Sequence, residues 1–321
     1  MNRRLILILV AALVVAVPLS LLAGQVWIDP IAPTTRNAAL ILFELRLPRA
    51  ALALVIGAGL GVSGAAMQGY LRNPLADPGL FGIAPGAALG AVLSFWTGYA
   101  ASVWLLPVFA LVGAGGAMAL LALIAGREGG VALFTMAGLM IASLAGALTS
   151  LAISLSPTPF AMSEIVTWLM GALADRSWRE VGIAAPLTLA GVGVLMSAGR
   201  GLDALTLGEA AARSLGLEPG RLQARMIVGV GLAVGAAVAV AGVIGFVGLM
   251  VPHLVRPLTD RRPSSLMAPS ALAGALLLLV ADCLCRMLPL SGGELRLGIA
   301  LSLLGAPFFL KLLLDMRRGL A

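Results

Sequence analysis

Residues 68–86 read QGYLRNPLADPGLFGIAPG, a charged, proline-broken turn between two glycine-rich apolar segments. In hydrocarbon each unsatisfied N–H or C=O costs several kcal/mol, so irregular backbone is tolerated there only where protein buries it or a water-filled path runs beside it. If the flanking segments cross a bilayer, the break points to a translocation pathway.

The composition puts the flanking segments in a bilayer. Hydrophobic residues make up 60% of the 321 and charged residues 11%, and the mean hydropathy is +1.06, beyond what a soluble domain of this length reaches. A spanning helix needs about 20 mainly apolar residues. Working outward from the turn, apolar runs bounded by polar or Pro/Gly breaks predict spans near 4–23, 48–70, 80–97, 103–125, 131–155, 181–199, 226–243, 247–258, 266–288 and 297–315. The expected fold is all-α, a polytopic integral membrane protein of about ten helices forming one integral membrane domain over 1–321. The eighth run is too short to cross alone, since about 12 helical residues cover roughly 18 Å against a hydrocarbon core of about 30 Å. It is expected as an inclined or buried half-helix. At the N-terminus, Asn2-Arg3-Arg4 before an apolar run fits a signal peptide or a first span, and the length of the run favours a retained span.

The net charge of +7 does not indicate nucleic acid, because the basic residues lie between spans rather than on one polar face with aromatics. They read as topology signals. Threaded from a cytoplasmic N-terminus, Arg3, Arg4, Arg72, Arg127, Arg200, Arg213, Arg221, Arg225, Arg256, Arg261, Arg262, Arg317 and Arg318 fall inside. Arg36, Arg46, Arg49, Arg176, Arg179, Arg286 and Arg296 fall outside. The excess inside supports cytoplasmic N- and C-termini. Lys311, the single lysine, stands in Leu310-Lys311-Leu312 and cannot serve a phosphate-binding Gly-Lys-Ser/Thr loop, so any ATP drive comes from a partner. Cys283 and Cys285, two apart on a helix, project to nearly opposite sides and do not bridge. They read as small apolar side chains, with a metal or haem thiolate as the alternative. Small-xxx-small pairs (Gly57/Gly61, Gly82/Gly86, Gly86/Gly90, Gly231/Gly235) fit close helix packing.

Several polar segments invite a role. Asn73-Pro74-Leu75 reads as a turn, in which Asn offers donor and acceptor groups and Leu can plug a narrow path. Thr206–Gln223, TLGEAAARSLGLEPGRLQ, is the longest amphipathic polar stretch placed inside. Two short helices broken near Gly216 are expected, with Pro219 starting the second. It suits docking to a soluble partner or a solvated loop. Arg46 and Arg49 flank Leu47-Pro48 at the mouth of the second span, and Arg286 ends the ninth. By themselves they are interfacial anchors, although guanidinium groups also pair bidentately with carboxylates. Asp282 stands four residues before Arg286, the spacing of an intrahelical ion pair. His253, the single histidine, lies beside Pro252 and reads as a structural hydrogen-bonder rather than a ligand. No set of residues reads as a metal site.

RLPRAALALVIGAGLGVSGAAMQ at 46–68, the turn that follows it and GVIGFVGLMVPHLVRP at 242–257 together resemble the FecCD family, the permease subunits of bacterial ABC importers for iron-siderophores, haem and vitamin B12. The resemblance runs from about residue 25 to 315. It implies a vitamin B12-permease-like fold, a homodimer in the bacterial inner membrane, two ATPase subunits that carry ATP-Mg, and a periplasmic substrate-binding protein, with no cofactor in this chain. It further implies that Asn73 and Leu75 line a cytoplasmic gate. The LGxxxAxxLG match at Leu207, Gly208, Ala212, Leu215 and Gly216 would contact the ATPase, with Glu209 and Arg213 as candidate polar contacts. Arg46, Arg49 and Arg286 would receive glutamates of the binding protein. Pro252, His253 and Arg256 match a PHxxR pattern independent of cargo. One departure is Glu294-Leu295-Arg296, where arginine replaces the family's usual proline.

The expected function is therefore ATP-driven import by alternating access. An iron chelate is the leading cargo because that is the family's largest share, and cobalamin is the alternative. An ion-driven secondary transporter usually keeps ionisable residues at span centres, where this chain has almost none. A membrane enzyme would need acid–base equipment, and HExxH and GxSxG are both absent.

Overall fold

The computed structural model describes residues 3–24, 36–99, 102, 104–126, 130–288 and 293–320. Asn2 and Arg127, used in the reading of the ends and of topology, lie outside these. Among the described residues fourteen α-helices run in order: α1 (Arg3–Leu22), α2 (Arg36–Leu40), α3 (Leu47–Leu71), α4 (Ile83–Trp96), α5 (Leu105–Ala125), α6 (Gly130–Ser154), α7 (Pro159–Leu169), α8 (Trp178–Ser197), α9 (Gly199–Leu205), α10 (Glu209–Ser214), α11 (Pro219–Ala241), α12 (Val247–Val255), α13 (Pro263–Met287) and α14 (Leu297–Leu320). No strand occurs among the described residues.

Among the described residues eight helical stretches are long and apolar enough to cross a membrane, and two shorter apolar helices, Ile83–Trp96 and Val247–Leu258, complete the expected ten. The short eighth run was anticipated. The third was not: 80–97 was expected as a full span, but α4 has 14 residues, roughly 21 Å of helix. Pro78 and Gly82 hold residues 78–82 out of the helix, with Gly82 in the left-handed region at its N-cap. Gly82 therefore does not form a helical pair with Gly86.

The second span starts earlier than expected. Arg36–Leu71 is continuous, passing through a π-helical turn, Ile41–Arg46, whose last bond runs from Leu47 N–H to Leu42 O. Pro48 explains the widening. It has no N–H for the carbonyl one turn back, and its ring would strike that carbonyl in a regular helix.

α3 and α11 form the centre, with 78% of their spanning windows buried against 11–28% for α1, α5, α6, α8 and α14. The peripheral helices carry leucines, valines and methionines on open faces, as lipid-facing helices do. The closest pairing is α3 on α13. A Cβ at Gly57 would fall on Gly274 O and one at Gly61 on Ser270 O, so the small-xxx-small spacing brings backbone onto backbone where burial of apolar surface gives no drive.

Candidate pathway and its flanking sites

The two breaks anticipated at 68–86 and 242–257 border one cavity. α3 ends at Arg72, whose left-handed backbone (φ 51°) turns the chain. Asn73 Oδ1 accepts from Leu75 N–H at 2.9 Å and Asn73 O from Ala76 N–H, a local turn that Asn closes with its own side chain. Asp77 Oδ1 then accepts from Gly79 N–H at 2.7 Å, capping the short 3₁₀ turn Pro78–Leu80. On the other side α11 stops at Gly242 (φ 71°), and residues 242–246 stay non-helical until Phe246 (φ 66°) admits α12. Leu75, Asp77 and Gly79 from the first break, and Gly242, Ile244 and Phe246 from the second, line a cavity of about 440 Å³, with Leu60, Val238, Leu249 and Phe309 completing its wall. Both irregular stretches thus have the cavity that irregular backbone at membrane depth requires. Leu75 is half-buried on its wall, whereas Asn73 is exposed and occupied in its own turn.

The PHxxR segment packs on the end of α3. Gln68, 2% exposed, donates through Nε2 to Gly248 O (3.4 Å) and Leu249 O (3.3 Å), and Arg256 Nη2 donates to Gln68 Oε1 at 2.6 Å. His253 departs from expectation. Its Nδ1 is buried without a hydrogen-bond partner among the described residues, and its ring packs edge-on against Phe308 with centroids 5.6 Å apart. Burial beside an aromatic ring, not hydrogen bonding, sets its place.

The arginines at the other end of α3 also differ from expectation. Arg46 and Arg286 were expected at an exposed mouth but are 6% and 4% exposed. Each reaches a carbonyl at the end of α1: Arg46 Nη1 donates to Leu21 O at 2.7 Å and Arg286 Nη1 to Ala23 O at 3.4 Å. The last carbonyls of a helix lack intrahelical donors, and a positive charge there is favourable, so α1 pulls both guanidinium groups inward. Asp282 Oδ2 lies 3.1 Å from Arg286 Nε, the intrahelical pair expected from spacing. Arg49 joins the same carboxylate, Nη2 to Oδ1 at 2.9 Å, and also Glu294 Oε2 at 2.7 Å. Arg296 borders a second pocket, of about 280 Å³, with Arg176, Glu164 and Asp175. Burial holds Arg176 below the usual arginine range, opposed by Glu180 and Asp175 and reinforced by Arg296.

In the 206–223 segment the expected break and restart are present. α10 ends at Ser214, Gly216 is left-handed (φ 85°), and Pro219 starts the next helix. That second helix is not short, however. It is α11, continuous to Ala241, because Arg221, Gln223 and Arg225 interrupt apolarity without breaking the backbone. Leu207 and Leu215 are 66% and 67% exposed, whereas Ala212 is fully buried. Gly208 (φ 96°) opens α10. Glu209 is half-buried beside Tyr70, and Arg213 is exposed. The segment thus leaves two leucines and an arginine exposed and buries Ala212. Cys283 and Cys285 are both free, and no group of three or more His, Cys, Asp or Glu fit to hold a metal occurs among the described residues.

Gln68, Asp77 and Glu294 went unassigned in the sequence. Gln68 was findable as a buried amide in an otherwise apolar helix next to a break. Asp77 and Glu294 take their roles from residues distant in the chain.

Comparison with known proteins supplies a lineage for this geometry. The vitamin B12 import system permease protein BtuC of Escherichia coli O9:H4 (strain HS) is 38% identical over 323 residues, covering 99% of this chain and 97% of the relative. BtuC of Shigella flexneri is 37% identical over the same shares. A solved structure of an ABC transporter assigned to the metal-chelate type, in an inward-facing conformation, superposes with a TM-score of 0.89 at 32% identity, covering 98% of this chain and 100% of that one. PsaBC from Streptococcus pneumoniae, in complex with Fab, shares the fold at a TM-score of 0.59 and 19% identity, over 85% of this chain and 92% of that one. The model of the FecCD transport family matches residues 5–315, and with eight spanning helices and two half-length helices among the described residues and a cavity between two backbone breaks, the chain belongs to that family of membrane permeases.

Proposed function

We propose that this chain is the membrane subunit of an ABC importer that carries a corrinoid of the vitamin B12 type, through a path of which the 440 Å³ cavity is one protomer's share. The observation that carries the transport reading is the convergence of the two non-helical stretches on that cavity. The cargo reading draws on the BtuC relatives, similar over nearly their whole length, and it supersedes the iron chelate expected from family share. A ferric siderophore or haem stays as a second reading, favoured by the metal-chelate type of the structural relative. A cavity of this size suits a drug-sized molecule, so a bulky chelate calls for a second copy of the chain to complete the passage.

In this reading the termini are cytoplasmic, in the bacterial inner membrane. Two ATPase subunits, which hold ATP-Mg, dock on Leu207, Leu215 and Arg213, while Gly208, Glu209, Ala212 and Gly216 shape that segment. The Asn73–Leu75 turn opens and closes the inner end. A periplasmic binding protein docks at the far end. There, Arg49 is the arginine able to exchange a partner, since Glu294 is partly exposed; Arg46 and Arg286 contribute positive potential from within. The test is ATP-driven uptake into proteoliposomes containing the chain, its ATPase and its binding protein, with cobalamin, ferric siderophores and haem offered in parallel. Accumulation of cobalamin is expected, and accumulation of an iron chelate alone would replace the cargo assignment.

A further inference from the structure

α12 has a proline at its centre, and that proline creates a need elsewhere. In an α-helix the carbonyl of residue 248 is served by the N–H of residue 252. Residue 252 is Pro, which has none, so Gly248 O is left without its helical donor in a fully buried position. Gln68 Nε2 points at this oxygen and shares itself with the neighbouring Leu249 O. Gly64, one turn before Gln68 on the same face of α3, makes the approach possible, because a Cβ there would fall on Gly248 O. Arg256, one turn beyond Pro252, fixes which way the amide faces by donating to Oε1. From the opposite side, the 73–82 turn packs on Gly248: a Cβ at Gly248 would fall on the ring of Pro78, and Asp77 caps that turn through Gly79 N–H. The start of α12 is therefore held by α3 at the carbonyls of Gly248 and Leu249 and by the 73–82 turn through the packing of Pro78 on Gly248.

We infer that Gln68 and Arg256 are positioning residues that latch the half-helix α12 to the end of α3 and to the 73–82 turn, so that the turn and α12 move as one body when the path opens. The inference rests on the gate reading of Asn73 and Leu75 given above. Gln68 supplies the donor that Pro252 removes, and this makes a rescue possible: Pro252→Ala returns an N–H to position 252 and renders the glutamine dispensable.

The experiment is amide hydrogen exchange on the transporter assembled with its ATPase, which requires no cargo, alongside cobalamin uptake per ATP hydrolysed in proteoliposomes. Loss of one buried donor is expected to speed exchange of amides in 246–256 and 73–80 together, by roughly three- to tenfold, in Gln68→Leu. Gln68→Glu keeps the volume and the Arg256 contact but has no N–H to give, and should show the same rise if Gln68→Leu fails to assemble. Gln68→Leu/Pro252→Ala should return both segments to near the wild-type rate, and uptake per ATP should fall and recover in step. Unchanged exchange in both Gln68 variants, or a double variant as fast as the single one, overturns the latch. Rescue of exchange with uptake untouched throughout overturns its part in gating, and Leu75→Ala then judges the gate by itself: unaltered transport in that variant removes the gate reading too.

Discussion

Arg49 holds two carboxylates at once, Asp282 at 2.9 Å and Glu294 at 2.7 Å, at a place where Asp282 has no access to solvent. Removing Arg49 leaves Asp282 with Arg286 alone and takes away the arginine that Glu294 contacts, and losing a hydrogen bond to a charged group costs about 1.5–3 kcal/mol. Arg49→Ala should therefore lower the thermal stability of the detergent-purified protein, while Arg179→Ala, at an exposed arginine, should lower it by much less. Equal melting temperatures would show that the cluster does not hold this corner together. Charge reversal of Arg46 and Arg49, which exposed arginines would tolerate, is expected to disrupt folding here before docking is tested. The Asp282–Arg286 pair was legible from its spacing of four on a helix. The link from Asp282 to Arg49 spans 233 residues, and the inward turn of Arg46 depends on where α1 ends; no local pattern encodes either.

Among elements, the tight joint between α3 and α13 depends on glycine. Gly57→Ala places a methyl group on the Gly274 carbonyl, and overpacking of this kind costs about 1–3 kcal/mol. The drop should appear in thermal unfolding, whereas Gly146→Ala, with open space around it, should cause none. The 206–223 segment behaves oppositely. Leu207 and Leu215 stand clear of the protein, so replacing both with Ser should leave stability within about 0.5 kcal/mol yet weaken co-purification with the ATPase several-fold. Intact association would remove these leucines from the docking surface. Helix stops and starts at Gly216 and Pro219 were readable because those residues act through their own backbone. α7 was missed because Pro159 and the polar Ser163-Glu164 interrupt its apolar run, and α4 was read too long because apolar sequence continues through a turn that Pro78 and Gly82 enforce.

At the scale of the molecule, the ten apolar runs were legible because bilayer thickness sets a length that composition alone reveals. The meeting of residues 73–82 with 242–246 was not, since it follows from how α3, α11 and α12 pack, and it is this meeting that forms the cavity. Among the described residues that line the cavity, Asp77 is the one ionisable group, and it already accepts from Gly79 N–H. In the proposed reading the cavity offers cargo an apolar surface, and chemical selection falls to the binding protein. Accordingly, Leu60→Phe, which narrows the wall, should slow uptake of every accepted cargo alike without changing their order of preference; a changed order would locate selectivity in this chain.

The most direct test of the pathway is thiol labelling of Leu75→Cys in a background with Cys283 and Cys285 replaced by Ser, in the complete transporter, using a membrane-impermeant maleimide from the ATPase side. The labelling rate should differ several-fold between nucleotide-free and ATP-vanadate-trapped states, as expected of a residue on an alternating gate. A rate identical in both states would mean that the turn at 73–82 lines no moving passage.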